Sequence, residues 1–145
     1  MKNNKLGFTL IEVMIVVAIV IILVTVAIPT LLRLRVTANE MAALASLRAI
    51  NNGCQLYHIN NLTYPSSLSD LVSPTSNPPY IDSTLATGEK QGYEFLYQLI
   101  DNSHFTVNAN PLYTGLLKGK YFYMDEAGIV HVNPASQAGP DDPIY

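Results

Sequence analysis

The sequence predicts an α+β chain: a long N-terminal α-helix, first membrane-spanning and then amphipathic, packed on a small antiparallel β-sheet. Three observations predict it. Phe8 to Leu32 is an apolar run of 25 residues with one charge, Glu12. Beyond it, apolar residues recur at steps of three or four as far as Tyr57, the period of one helix face. From Gly92 the period drops to two, and turn residues separate the runs.

Composition narrows the function classes. At 145 residues the chain holds one domain and a segment outside it. Hydrophobic residues make up 49% and charged residues 13%, and much of the apolar excess lies before residue 33. Cys54 is the single cysteine, so no disulfide can form within the chain. From Val36 onward Arg48, Lys90, Lys118 and Lys120 face ten acids, a net charge of −6. An acidic domain of this kind argues against nucleic acid as the main partner.

The apolar run comes first in the chain. A membrane span needs about 20 apolar residues, and this run exceeds that. A cleaved secretory signal has an apolar core of about 7–15 residues, shorter than the run here. Lys2 and Lys5 flank one end and Arg33 and Arg35 the other, so charge counting gives no orientation. Glu12 is the anomaly. A charge at mid-bilayer costs about 3 kcal/mol or more and usually has a partner. Phe8 and Glu12 are four apart and share a helix face. Cutting the Gly7–Phe8 bond would create a cationic α-amine at Phe8, near the depth of Glu12. The alternative is an acid that snorkels into the headgroups. Pro29 removes one helical N–H and leaves the carbonyl of Thr25 without its usual partner.

The stretch Lys5 to Ile19, KLGFTLIEVMIVVAI, resembles the class III leader of type IV pilins and type II secretion pseudopilins. Glycine, phenylalanine and glutamate all fall in register. The resemblance implies a leader at 1–7, cut after Gly7 by a prepilin peptidase, and N-methylation of Phe8. It implies that Glu12 meets the N-terminal amine of Phe8 on a neighbouring subunit during assembly, and that Pro29 is a helix kink. It further implies a single-pass protein of the bacterial inner membrane, N-terminus cytoplasmic, that later enters a periplasmic or cell-surface filament. The implied partners are further copies of the chain, other pilins or pseudopilins, the peptidase and the inner-membrane assembly platform. No cofactor is implied.

The next element is the continuation of the helix. The expected divisions are a membrane helix at 8–32, its amphipathic continuation at 33–59, and loop plus sheet at 60–145. Leu34, Ala38, Met41 and Ala45, then Leu44, Leu47, Ile50, Cys54 and Tyr57, form an apolar stripe, of which Met41–Tyr57 is expected to face the sheet. Gly53 interrupts it and marks a close approach of another segment. Cys54 and His58 share a face, yet a structural zinc site usually has four ligands, so no metal is expected there.

Asn60 to Gln91 reads as a connection, with helical turns over Ser66–Val72 and extended chain enforced by Pro74, Pro78 and Pro79. Four strands should follow: GYEFLYQLI, HFTVNAN, KYFYM and IVHVN. Asp101-Asn102-Ser103 forms the first turn, and Asp125-Glu126-Ala127-Gly128 the second, with Gly128 at positive φ. This half resembles the sheet of pilin-like proteins, less specifically than the N-terminus. It departs from type IV pilins that close this region with a disulfide. Major pseudopilins often carry a calcium loop, but Asp125, Glu126, Asp141 and Asp142 do not show its spacing, and no metal is expected.

Three function classes compete. The leading one is a structural filament subunit, and the second is a pseudopilin driving protein export or a minor pilin. The third, an anchored enzyme or binding domain, is disfavoured. His58, Ser66, Ser67 and Asp70 form no activated-nucleophile motif, and catalysis is not expected.

Overall fold

The structure, a computed structural model, describes residues 8–113 and 118–145. Contacts divide the chain into two units, Met1–Arg35 and Val36–Tyr145. Helix α1, Leu10–Asn61, runs through both and carries Pro29 inside it. It ends where Leu62 enters the left-handed region at φ 61° and its N–H reaches the carbonyl of His58 at 2.8 Å. The sequence expectation placed that end a few residues earlier.

In the first unit every described residue from Phe8 to Arg35 is exposed. In the second, α1 buries Ala43, Leu44, Ser46, Leu47, Ile50, Gly53 and Cys54. The later part of the expected stripe is therefore correct. Its start is not: Met41 and Ala45 are exposed. The regular spacing held through both parts, but the core reaches only from Ala43 onward, so periodicity alone overstated the covered length.

The connection after α1 is more structured than expected. Leu68–Leu71 forms a 3-10 turn inside the predicted helical stretch, and Asp70 Oδ2 accepts from the backbone N–H of Ser66 and Ser67. Extended chain was expected at the prolines. Instead the region turns, with cis bonds before Pro74 and Pro78. A one-turn helix α2, Ser83–Ala86, follows, capped by Asp82. The hydroxyl of Thr84, then Lys90 and the backbone N–H of Thr84, hold the Asp82 carboxyl down at about 2.

The sheet has five strands, not four: β1 Glu89–Lys90, β2 Tyr93–Asp101, β3 His104–Pro111, β4 Tyr121–Asp125 and β5 Val130–Asn133. They form an antiparallel meander in chain order. The extra strand, β1, joins β2 through Gln91 and Gly92, at φ 50° and 80°. Two successive positive φ values match the right-handed twist of a hairpin, which is why Gly92 follows Gln91 here. Both predicted turns lie where expected, and Gly128 has φ 76°.

Period-two patterning places one sheet face inward. Tyr93, Phe95, Phe105, Val107, Ala109, Phe122 and Met124 join the α1 stripe, Leu71, Ile81 and Leu85 in one core. Register sets large against small: Ala109 lies between Phe95 and Phe122. Each fully buried Leu, Ile or Phe contributes about 1.5–3 kcal/mol. Tyr93 and Tyr97 lie within this layer, and their hydroxyls donate to the carbonyls of Lys120 and Pro65. Burial raises both phenols. The final segment returns to β5, where Val132 N–H donates to Pro143 and Tyr145 N–H to Val130.

The glycine in the stripe has a physical cause. A Cβ at Gly53 would meet Ile81 Cγ2 at 2.7 Å. Gly53→Ala gains about 1 kcal/mol of helix propensity but forces overpacking that costs about 1–3 kcal/mol. We expect a net loss, read as a lower thermal midpoint of the full chain in detergent. Adding Ile81→Leu removes the obstructing Cγ2 branch and should restore much of it.

Burial sets the chemistry of Cys54. Burial pushes its thiol up to about 12, opposed in part by Tyr97 beside it. The folded chain should resist maleimide at neutral pH and react only after denaturation.

The β2–β3 turn contains a small acid–base pair. Asp101 accepts from Ser103 N–H at 2.7 Å and lies 2.8 Å from His104 Nδ1. Its carboxyl is lowered by Ser103 and then by His104, while Asp101 raises His104 above its ordinary 6.5. A raised imidazole stabilises the turn fully below its unfolded value, and that contribution fades as pH climbs through the folded one. NMR titration should place the His104 midpoint above 6.5, and Asp101→Asn should bring it down.

Candidate functional site

The candidate site is the N-terminal stretch from Phe8 to Pro29, since the acid, the aromatic and the kink all lie there. Gly7, the expected cleavage position, lies outside the described residues. Phe8 is 81% exposed and precedes the first turn of α1.

Local chemistry starts the helix at this point. The Thr9 hydroxyl accepts from Glu12 N–H at 3.3 Å, and the Thr9 carbonyl accepts from Val13 N–H. Thr9 is thus the N-cap, meeting one of the orphan donors of the first turn. Its part was missed in the sequence, although Thr9-Leu10-Ile11-Glu12 has the spacing of a capping box. Glu12 falls in the first turn, where a carboxylate complements the positive end of the helix dipole. It is exposed, and among the described residues it forms no ion pair. An unpartnered acid on an apolar surface is the arrangement that a cation from another molecule would complete.

The rest of the stretch is suited to a surrounding without water. Its side chains are apolar and exposed from Val13 to Val24. The hydroxyl groups hide their own protons: Thr25 Oγ1 donates to Ile21 at 2.7 Å and Thr30 Oγ1 to Val26 at 3.1 Å. Each therefore adds no unsatisfied donor to an apolar surrounding. These two back-bonded threonines bracket Pro29, and back-bonding of this kind also bends helices. Pro29 is inside α1, as expected, and does not end it.

The residues weighed for metal or catalysis are engaged elsewhere. Cys54 is buried in the core, and the His58 ring stacks on Tyr64 at 4.5 Å. Asp70 holds the Ser66–Ser67 turn. Asp125 Oδ1 caps Ala127 N–H, and Asp142 accepts from Asn133 Nδ2 and Gly139 N–H. His104 and Glu126 approach to 3.8 Å across neighbouring turns. Among the described residues no group of three or more His, Cys, Asp or Glu is placed to hold a metal ion.

Known proteins with this N-terminus share its pattern. The profile of the prokaryotic N-terminal methylation motif matches residues 2–28. The type IV wide pilus major component PilA4 of Thermus thermophilus is 37% identical over 95 residues, which cover 64% of this chain and 72% of that one. Type II secretion system core protein G of Vibrio cholerae is 37% identical over 79 residues, 52% of this chain and 54% of that one. The protein of the same name from Escherichia coli K12 is 31% identical over 94 residues, 63% and 62%. The chain thus spans about half to three-fifths of these secretion proteins and more of the pilus protein. The leader-type motif, the long helix and the antiparallel sheet place the chain in the family of type IV pilins and type II secretion pseudopilins.

Proposed function

We propose that the chain is a structural subunit of a type IV pilus-like filament, assembled through its N-terminal helix. The observation that carries this is Glu12: an exposed carboxylate, in no ion pair among the described residues, within the otherwise apolar first part of α1. Prepilin peptidase cuts after Gly7 on the cytoplasmic side, and the new amine of Phe8 is methylated. The amine stays cationic. On joining the filament at the assembly platform, it meets Glu12 of an adjacent subunit. Attraction between opposite charges grows steeply as water is excluded. A subunit out of register leaves both charges unpaired, so the pair sets axial position. Before assembly the chain is held in the inner membrane by α1, which is long and apolar enough to cross. The role is mechanical rather than catalytic, and nucleic acid is not its ligand.

A second reading has specific support. Two of the three relatives named above are core proteins of type II secretion systems, so a pseudopilus pushing cargo is the alternative setting. A minor pilin fits the same helix.

Two measurements test the proposal. Mass spectrometry of the native protein should find a chain beginning at methylated Phe8. A chain beginning at Met1 or near Ile28 would overturn the processing step. Glu12→Ala should leave processing intact but abolish most filaments, since removing one partner of a buried pair costs about 3–5 kcal/mol. Normal yield and register in that variant would overturn the role of Glu12.

A further inference from the structure

One stretch of the sheet keeps its backbone unpaired on one side. β2 meets β3 along its length, but β1 reaches only Tyr93 and Glu94 on the other side. Just beyond, Phe95 N–H donates to the Gly88 carbonyl. In an antiparallel strand every second residue turns its N–H and C=O to the same side. Those of Tyr97 and Leu99 therefore point away from β3, in line with Phe95. Among the described residues no strand or backbone group pairs with them there.

The side chains beside this backbone fit a partner strand. Tyr97 and Leu99 pack inward on the core, so Leu96, Gln98 and Ile100 take the opposite face, and all three are exposed. Leu96 is 45% exposed and Ile100 60%. The stretch Leu96–Ile100 carries no charge; Glu94 and Asp101 lie outside it. Sheet edges are ordinarily blunted by lysine, proline or a covering segment, and none of these residues is present here. The register shift between Leu99 and Asp101 ends the regular ladder.

We propose that Leu96–Ile100 pairs with the same stretch of a second copy, antiparallel about a two-fold axis at Gln98. Tyr97 then exchanges backbone bonds with the partner's Leu99, and Leu99 with the partner's Tyr97, about four bonds in all. Leu96 lies opposite the partner's Ile100, and Gln98 opposite the partner's Gln98. Apolar meets apolar, amide meets amide, and no like charges oppose. An axis at Tyr97 would need Phe95, whose N–H is already taken by Gly88. An axis at Leu99 would set Ile100 against the partner's Gln98. A second copy is favoured over a foreign peptide because the order apolar, amide, apolar is its own complement when reversed. β3 also holds the strand in place already, so pairing costs less ordering than laying down a loose peptide. The far strand, β5, bonds to the chain's own final segment, so pairing closes at two copies. So short a contact falls below the roughly 1,200 Å² of stable interfaces, and the association is transient. It is independent of assembly through the N-terminal helix.

Disulfide capture in the full chain, in detergent, tests both the pairing and its register. Cys54 is buried, so the unsubstituted chain is the blank. Facing Cα atoms at the axis stand about 4.5 Å apart, within disulfide reach. Under mild oxidation Gln98→Cys should convert in large part to a covalent dimer. Leu96→Cys alone should not, nor Ile100→Cys alone, since like positions stand roughly 14 Å apart. Mixed, these two variants should link at least tenfold more than either alone. Adding Gln98→Lys to both should cut that yield several-fold, and Gln98→Lys in one with Gln98→Glu in the other should restore it. Absence of both the Gln98→Cys dimer and the mixed product overturns the pairing. Equal linking of Leu96→Cys with itself and with Ile100→Cys overturns the register and leaves chance collision. If Asn52→Cys, exposed on α1, links while Gln98→Cys does not, copies meet through the helix, and the edge pairing falls while the filament reading stands. Capture of a different protein by Gln98→Cys in cell membranes, and never of its own kind, would overturn the second-copy reading.

Discussion

One helix must satisfy two different surroundings, and the chain is organised by that demand. Up to Arg35 the side chains of α1 are exposed on every side, and each hydroxyl within it bonds its own backbone. From Ala43 the same helix offers a single stripe to a sheet. The backbone bonds close within the element in both parts, which is why one helix can serve lipid and water alike. Side-chain pattern alone decides which medium each part tolerates. Glu12 is the exception to the first pattern and Gly53 to the second. Gly53 answers to a neighbour, the side chain of Ile81, while Glu12 forms no ion pair among the described residues.

Much of this was legible in the residues. A period of 3.6 changing to 2 located the helix and four of the five strands within a few positions. Gly53 and Gly128 were readable because glycine has few reasons to occupy a helix stripe or a tight turn. What failed did so for physical reasons. β1 has two residues, Glu89 and Lys90, too few for any period to register. Its signal lay instead in Gln91-Gly92, a turn whose first position is not a usual left-handed residue. Leu34 and Met41 continued the stripe, but spacing does not reveal where a covering layer stops.

The candidate site was read more fully than the loops, because an acid in an apolar run is costly enough to need a reason. Thr9 escaped notice for the opposite cause. A capping hydroxyl contributes only about 1 kcal/mol and looks unremarkable beside the glutamate it supports. Yet it fixes where the first turn begins, and so where on the helix the carboxylate of Glu12 projects.

The segment that returns beside Val130–Asn133 has a further consequence. Its backbone pairs with that strand through Pro143, Ile144 and Tyr145, and so masks one margin of the sheet. The opposite margin is covered unevenly: β1 pairs only with Tyr93 and Glu94, and among the described residues no strand lies on that side of β2 from Leu96 to Asp101. One border is therefore masked, and the other is open along most of β2. Pairing sheet to sheet is thereby barred beside Val130–Asn133 and left possible along the outer part of β2.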